Sequence, residues 1–461
     1  MESITKPPAV DISAVINEAP FSRFQSAVLA TCFVLMMLDT IDATLMAFTA
    51  PAIAGGWHVP ISKFGPVFGA ALLGSLVGAL IFGQAADTIG RRFTLIAGVS
   101  VFGVFTVLQG TANSMEVLII YRLIAGLGLG GVVPNAVATV SEYAPARVRP
   151  MVINSMSCGL PLGSALAGFI AFAMLMPFGW RATFYTCGLV PIILVPFLIW
   201  RLPESIRFLA LGKSNPAQLA RIMRKIAPSK KFGDNDEFVL NEQRVAGSPA
   251  KNLFTGGRLF STLLLWVLFF VGYLLTYLLL SWLPSLLRQS GIPLKRAIFI
   301  GAIFSVGGVV GGLVLGWYSR RVDGRRVMGY GFILTCVFIA ALGFSLGHVA
   351  AVVATVFFAG FFLTGSQMTM YSVASATYRT GMRSTGVGWA SGFGRIGSII
   401  GPVVGGLLLG TGTSVPGLLY MTAAPALIGS AAAFLLGRER QDGLEVVSVA
   451  APLGTTAKAG D

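Results

Sequence analysis

The chain has 461 residues, of which 55% are hydrophobic and only 11% charged. A soluble domain carries about 25% charged residues, so this composition excludes an ordinary soluble enzyme and a disordered protein. The net charge of +15 points to basic residues gathered along one face of a membrane, with no call for a nucleic-acid partner. The 57 glycines show no three-residue period and suit membrane helices, where small residues let backbones approach.

The N-terminus, Met1 to Phe21, is polar and contains Pro7, Pro8 and Pro20. A cleavable signal peptide would place its apolar core there, so insertion is expected to use the first membrane helix. Apolar runs of about 20 residues can cross a bilayer as helices. Twelve such runs follow: 24–50, 64–86, 93–112, 116–141, 150–176, 182–200, 259–287, 297–318, 327–346, 350–377, 384–410 and 416–437. They predict an all-α polytopic membrane protein in five parts. An N-terminal tail (1–23) leads into a six-helix half (24–200), a linker (201–258), a second six-helix half (259–437) and a C-terminal tail (438–461). The linker has mixed charge and reads as one or two short amphipathic helices. The four cysteines, Cys32, Cys158, Cys187 and Cys336, lie in apolar runs with no CxxC pair and read as inert buried thiols.

Counting basic residues sets the orientation. With both termini cytoplasmic, the cytoplasmic segments hold 26 of the 33 Lys and Arg, the opposite side holds five, and Arg122 and Arg395 remain inside spans. The positive-inside rule therefore places both tails and the linker in the cytoplasm.

The chain also repeats itself. Gly83-Gln-Ala-Ala-Asp87-Thr-Ile-Gly90-Arg91-Arg92 follows the second span, and Gly316 through Arg320, Asp323, Arg325 and Arg326 follows the eighth. Two six-helix halves around a central loop form a transporter plan, with the substrate near the membrane midplane between them. The first loop resembles the G-x-x-x-D-x-x-G-R-R signature of the major facilitator superfamily. Asp87, Gly90, Arg91, Arg92 and the nearby Glu142 are thereby expected to form a gate. The second copy carries Arg320 in the acidic position and Asp323 in the glycine position, so a weaker gate is expected there.

Within that superfamily the chain resembles the bacterial aromatic acid:proton symporters, the group that includes 4-hydroxybenzoate, protocatechuate and benzoate transporters. The resemblance rests on Asp39-Thr-Ile-Asp42-Ala-Thr44 in span one, the stretch from Arg122 through Gly126, Gly128, Gly130, Gly131 and Pro134 to Asn135 in span four, Glu142-Tyr143-x-Pro145, and the stretch from Tyr378 to Pro402. The chain departs from the family at Thr40-Ile41, where Gly and an aromatic residue are usual, and at Arg379, where proline is usual. Pro203-Glu204-Ser205-x-Arg207 is less specific and reads first as a helix cap with a salt bridge.

Proton coupling needs a titratable group inside the membrane. His58 and His348 fall in short loops, and the second half has no acidic residue between Leu259 and Gly437 except Asp323, in a loop. Asp39 and Asp42 alone lie well inside a span. An ionised carboxylate there costs roughly 2.5–3.5 kcal/mol unless paired or hydrated. The two are three residues apart and share a helix face. Arg122 is expected to approach one of them, and these three residues are the expected proton-coupling set.

An aromatic carboxylate needs a cation and flat apolar walls. Arg395, near mid-span in the eleventh run, is the candidate cation, since guanidinium binds carboxylate bidentately. Tyr273, Tyr277, Trp282, Tyr371 and Trp389 are available as walls, with Ser366, Gln367 and Asn135 for a ring hydroxyl; Tyr277, Gln367 and Asn135 join Arg395 as the expected substrate contacts. The glycine-rich run Gly126–Gly131 follows no strand, so it reads as close helix packing and not as a phosphate cradle.

The expected function is therefore proton-coupled uptake of a monocyclic aromatic acid, such as a hydroxybenzoate, across the bacterial inner membrane. The chain is expected to act as a monomer in the lipid bilayer, with no metal, no cofactor and no enzymatic step. Transport of another organic acid or a sugar is the alternative, and a non-transporting membrane sensor a more distant one.

Overall fold

The computed structural model describes residues 10–211, 216–230, 232–233, 236, 238–239, 253–254, 258–319, 321–378 and 383–448. Arg320 and Arg379, singled out in the sequence, lie outside them. The first long helix shows how local chemistry sets an element. Ser22 caps it, its hydroxyl accepting from the Gln25 amide at 3.3 Å while the Gln25 side chain accepts from the Ser22 amide at 2.6 Å. From there α2 (Arg23–Trp57) runs unbroken, through Pro51, to His58 in a left-handed cap.

After α2 come α3 (Gly65–Ile89), α4 (Arg91–Gln109), α5 (Met115–Gly130), α6 (Val132–Tyr143), α7 (Arg149–Ser157) and α8 (Gly159–Arg201). α5 and α6 together make one crossing. The second half comprises α11 (Leu259–Gln289), α12 (Leu294–Tyr318), α13 (Gly324–Ser345), α14 (Val349–Thr377), α15 (Arg383–Gly410) and α16 (Val415–Ser448). Eleven continuous helical stretches among the described residues are long and apolar enough to cross a membrane. The twelfth expected crossing is inside α8. Gly179, at φ 78° and ψ 174°, breaks it into legs 159–178 and 180–201; α7 with the first leg covers the fifth predicted run, and the second leg covers the sixth. Only glycine adopts that backbone conformation without strain.

The two halves repeat one packing scheme. α3 lies against α5 as α12 lies against α14; α2 lies against α8 as α11 lies against α15; and α4 lies against α8 as α13 lies against α16. Glycines set these approaches. Gly126 faces the Ala71 carbonyl, Gly130 the Ser75 carbonyl and Gly78 the Leu127 carbonyl, so α3 and α5 touch backbone to backbone. In the second half Gly311 faces the Phe361 carbonyl and Gly360 that of Phe304.

The tail and linker do more than connect. α1 (Ile12–Glu18), α9 (Ile206–Leu211) and α10 (Pro216–Ile226) lie at one end of the bundle, here the linker end. The apolar face of α10, with Leu219, Ile222, Met223 and Ile226, joins Ile12, Val15 and Ile16 of α1 in a second core against the start of α2 and the end of α6. A two-residue parallel pairing of Val10–Asp11 with Phe238–Val239 ties the tail to the linker.

Between the halves, contacts concentrate from mid-depth to the far end, opposite the linker. Gly65 sits against the backbone of Pro402, Val403 and Gly406, and Phe68 meets Trp282 edge to face, centroids 5.2 Å apart. Nearer mid-depth, a hydroxyl chain joins Thr44 to Ser164 at 2.9 Å and Ser164 to Ser305 at 2.7 Å, linking α2, α8 and α12.

Candidate functional site

Of the four charged residues held inside the spans, Asp42 and Arg122 form an ion pair, whereas Asp39 and Arg395 lie within electrostatic reach of each other. Asp42 and Arg122 are buried, 2% and 1% exposed, and Arg122 donates to the Asp42 carboxylate at 2.5 Å and to its carbonyl at 3.3 Å. The pair lies within the first half, between α2 and α5. The second carboxylate oxygen of Asp42 and Nε of Arg122 are buried with no hydrogen-bond partner.

Asp39, one turn back on the same helix, is only half-buried. Within its electrostatic reach are Arg395, from the other half, and Asp42. Arg395, also half-buried, donates to the Ser75 hydroxyl of α3 at 3.1 Å and thus reaches across the interface between halves. Both charges keep partial exposure, and they face the other half across the interface, where a charge is far less costly than at a lipid-facing position.

Aromatic residues lie beside these charges. Tyr273 and Tyr277, one turn apart on α11, stack at 6.1 Å and 18°; Tyr273 meets Tyr371 of α14 hydroxyl to hydroxyl at 2.5 Å. Phe269 extends the wall, its ring edge-on to Tyr371 with centroids 5.1 Å apart. All three tyrosines lie within electrostatic reach of Arg395. Gln367 of α14 accepts from Thr276 of α11 at 3.4 Å and is half-buried. The cluster offers one guanidinium, one carboxylate, flat rings and several hydroxyl or amide groups. That set can hold a small planar acid through its carboxylate, its ring and a ring substituent.

Other expected contacts lie elsewhere. Asn135 is buried on α6 and donates to the Phe82 carbonyl of α3 at 3.4 Å, a bridge between the two helices. Trp282 is fully buried at the far end, its indole donating to the Pro402 carbonyl at 2.9 Å. Trp389 is 53% exposed and stacks on Trp266. Ser366 faces Gly331 on α13. Both histidines stand at far-end helix caps, His58 after α2 and His348 before α14. Ser75 is a residue the sequence reading missed. Its signal is slight: a lone hydroxyl beside Gly74, on the face of α3 that also packs α5.

At the linker end three sequence motifs converge. Gly90, at φ 97°, turns the chain from α3 to α4, and a side chain there would collide with the Glu204 carboxylate. Glu204 accepts from the amides of Arg92 at 3.1 Å and Ser205 at 2.8 Å, capping α4. Arg91 pairs with Glu142, which also accepts from the Ser205 hydroxyl at 2.7 Å. Tyr143 donates to the Glu204 carbonyl at 2.6 Å. All of these contacts stay within the first half and its linker. Asp87 is exposed and makes no hydrogen bond or ion pair with the other described residues. In the second half Asp323 caps α13 and pairs locally with Arg325 at 3.1 Å.

Comparison with known proteins agrees with this architecture. The sequence profile of the Major Facilitator Superfamily matches residues 32–325 and 265–455. The 4-hydroxybenzoate transporter PcaK of Acinetobacter baylyi is 38% identical, over 94% of this chain and 95% of its own. A gallate transporter of Pseudomonas putida is 34% identical, over 94% of this chain and 97% of its own. The solved structure of a bacterial homologue of the human lysosomal transporter Spinster shares the fold, with TM-score 0.68 and 19% identity over 90% of this chain and 97% of that one. The chain is therefore a multi-pass membrane transporter and not an enzyme, and it belongs to the Major Facilitator Superfamily, in the branch that holds these aromatic-acid transporters.

Proposed function

We propose that this protein carries out proton-coupled uptake of a monocyclic aromatic acid, of the hydroxybenzoate class, by alternating access across the bacterial inner membrane. The observation that carries the reading is Arg395, which reaches across the halves into a half-buried cluster with Asp39 and the tyrosines of α11 and α14. The relatives named for 4-hydroxybenzoate and gallate transport support the substrate class. The excess of Lys and Arg in the linker and its neighbouring loops supports a cytoplasmic linker end and cytoplasmic termini. Each chain holds a complete pair of halves, which supports a monomer as the working unit.

Charge bookkeeping supplies the mechanism. An ionised Asp39 competes with an anionic substrate for Arg395. Protonation of Asp39 removes that competitor, so the substrate carboxylate takes the guanidinium bidentately while Tyr273, Tyr277 and Gln367 hold the ring and its hydroxyl. The loaded site then carries no added charge, which frees the halves to rock about it. An inside-negative potential opposes anion entry by about 2.3 kcal/mol per charge per 100 mV, and one accompanying proton cancels that cost. Asp42 and Arg122 form the fixed neighbour that sets the field at Asp39. At the linker end, Asp87, Gly90, Arg91, Arg92 and Glu142 form the gate. The Glu142 and Glu204 contacts hold the loop rigid, and exposed Asp87 is free to engage the second half when that end closes.

The test is uptake of labelled benzoate, hydroxybenzoates, protocatechuate and gallate into proteoliposomes, with an imposed proton gradient and with a protonophore. Accumulation of at least one acid that collapses with the protonophore is the expected result. Gradient-independent equilibration would remove proton coupling, and binding without counterflow would make the protein a sensor.

A further inference from the structure

Two adjoining cavities at the linker end lie outside the transport pathway, on the outer surface of the first half. The larger, of about 430 Å³, runs between the start of α2 and the end of α8 and is walled by Val34, Leu194, Phe197 and Trp200. Val34, Phe197 and Trp200 are 38%, 44% and 74% exposed, so the groove opens sideways toward the hydrocarbon. The smaller, of about 220 Å³, continues it over α10 and shares Phe24, Trp200, Arg201 and Lys225 with it.

The smaller cavity is cationic. Arg92, Arg201, Arg221 and Lys225 line it, against one carboxylate, Glu204, which is already used by the Arg92 and Ser205 amides. Arg201, Arg221 and Lys225 have no acidic partner among the described residues. Instead, Arg201 lies 4.4 Å above the Trp200 ring and Lys225 5.3 Å above the Phe24 ring, so aromatic faces hold both cations at the rim. α10 presents Arg221 and Lys225 because its apolar face is docked on α1 and α2 and its basic face is left outward, while Arg201 comes from the end of α8.

We propose that these cavities are one binding site for an anionic phospholipid, with the phosphate headgroup on Arg201, Arg221 and Lys225 and an acyl chain along Val34, Leu194 and Phe197. The charge pattern selects the occupant. Basic pockets at a helix-bundle interface take anionic headgroups, and the apolar groove leading from this one into the hydrocarbon suits an attached chain and not a free anion. A lipid seated there joins the linker to α2, the helix that carries Asp39 and Asp42.

The test is native mass spectrometry of the full-length protein exchanged into phosphatidylglycerol or phosphatidylcholine. Wild type should retain one phosphatidylglycerol in preference to phosphatidylcholine. R201Q/R221Q/K225Q should lose that preference by roughly five-fold for each charge removed. Val34→Trp, which fills the groove and leaves the charges, should lose the bound lipid as well. Thermal unfolding of both variants checks that they fold. Equal retention of the two lipids by wild type, or an unchanged preference in the triple variant, overturns the proposal. Inorganic phosphate that displaces phosphatidylglycerol and binds the Val34→Trp variant undiminished would make this a free-anion site and overturn it equally.

Discussion

Asp39 and Asp42 are one helical turn apart, yet their surroundings give them different work. Asp42 is sealed against Arg122, and removing one member of such a pair strands a buried charge at a cost of about 3–5 kcal/mol. Asp42→Asn should therefore lower the unfolding temperature of the detergent-solubilised protein sharply, and adding Arg122→Gln should recover much of the loss. A single variant as stable as wild type would mean the pair is dispensable. Asp39 has no such sealed partner, so Asp39→Asn should fold normally, retain counterflow of labelled substrate and lose accumulation driven by a proton gradient. Full gradient-driven accumulation in that variant would exclude Asp39 as the coupling group. Arg395→Lys keeps the charge but not the planar fork. If substrate binds bidentately, affinity should fall by about 1.5–3 kcal/mol, roughly ten- to hundred-fold, and unchanged affinity in a binding assay would count against that geometry.

At the scale of the element, glycine placement decides which helices can touch. Gly126 lies where any side chain would strike the Ala71 carbonyl, whereas Gly83, on α3, faces open space. Gly126→Leu should destabilise the bundle by about 1–3 kcal/mol through overpacking, and Gly83→Ala should be close to neutral, both read as unfolding midpoints. Equal effects would mean that the α3–α5 approach is not set by these glycines. Such elements were legible in the sequence because hydrophobic length and charge placement act locally: the helices of α3, α4 and α11 to α14 fall close to the predicted apolar runs. What could not be read depends on three-dimensional meetings between distant segments. The Ser75 contact of Arg395, the pairing of Val10–Asp11 with Phe238–Val239 of the linker, and the convergence of Gly90, Glu142 and Glu204 each join residues far apart in the chain. None leaves a periodic trace. Asn135, expected from the sequence as a substrate contact, has its amide on the Phe82 carbonyl of a neighbouring helix, a meeting that the sequence does not show.

For the whole molecule, transport requires the two halves to part at the far end as they close at the linker end. The far-end seam is where that motion is most open to test. It is built from small residues, with Gly65 against Pro402, Val403 and Gly406 and with Gly168 against Ala302, and from the Phe68–Trp282 contact. Small residues let two rigid surfaces meet and separate without side chains having to repack, which suits a seam that must form in every cycle. A wedge placed there should hold the far end open and leave each half internally intact, because Gly65 begins α3 and the atoms nearest a side chain added there belong to α15, in the opposite half. Gly65→Phe should therefore bind substrate offered from the far side with near-normal affinity, yet fail to carry out counterflow in proteoliposomes. Gly65→Ala, a smaller intrusion at 3.4 Å from its neighbours, should slow counterflow without abolishing it. Loss of binding together with transport would mean that the wedge had disrupted the fold. Normal counterflow in Gly65→Phe would mean that the seam need not close, and alternating access about it would have to be given up.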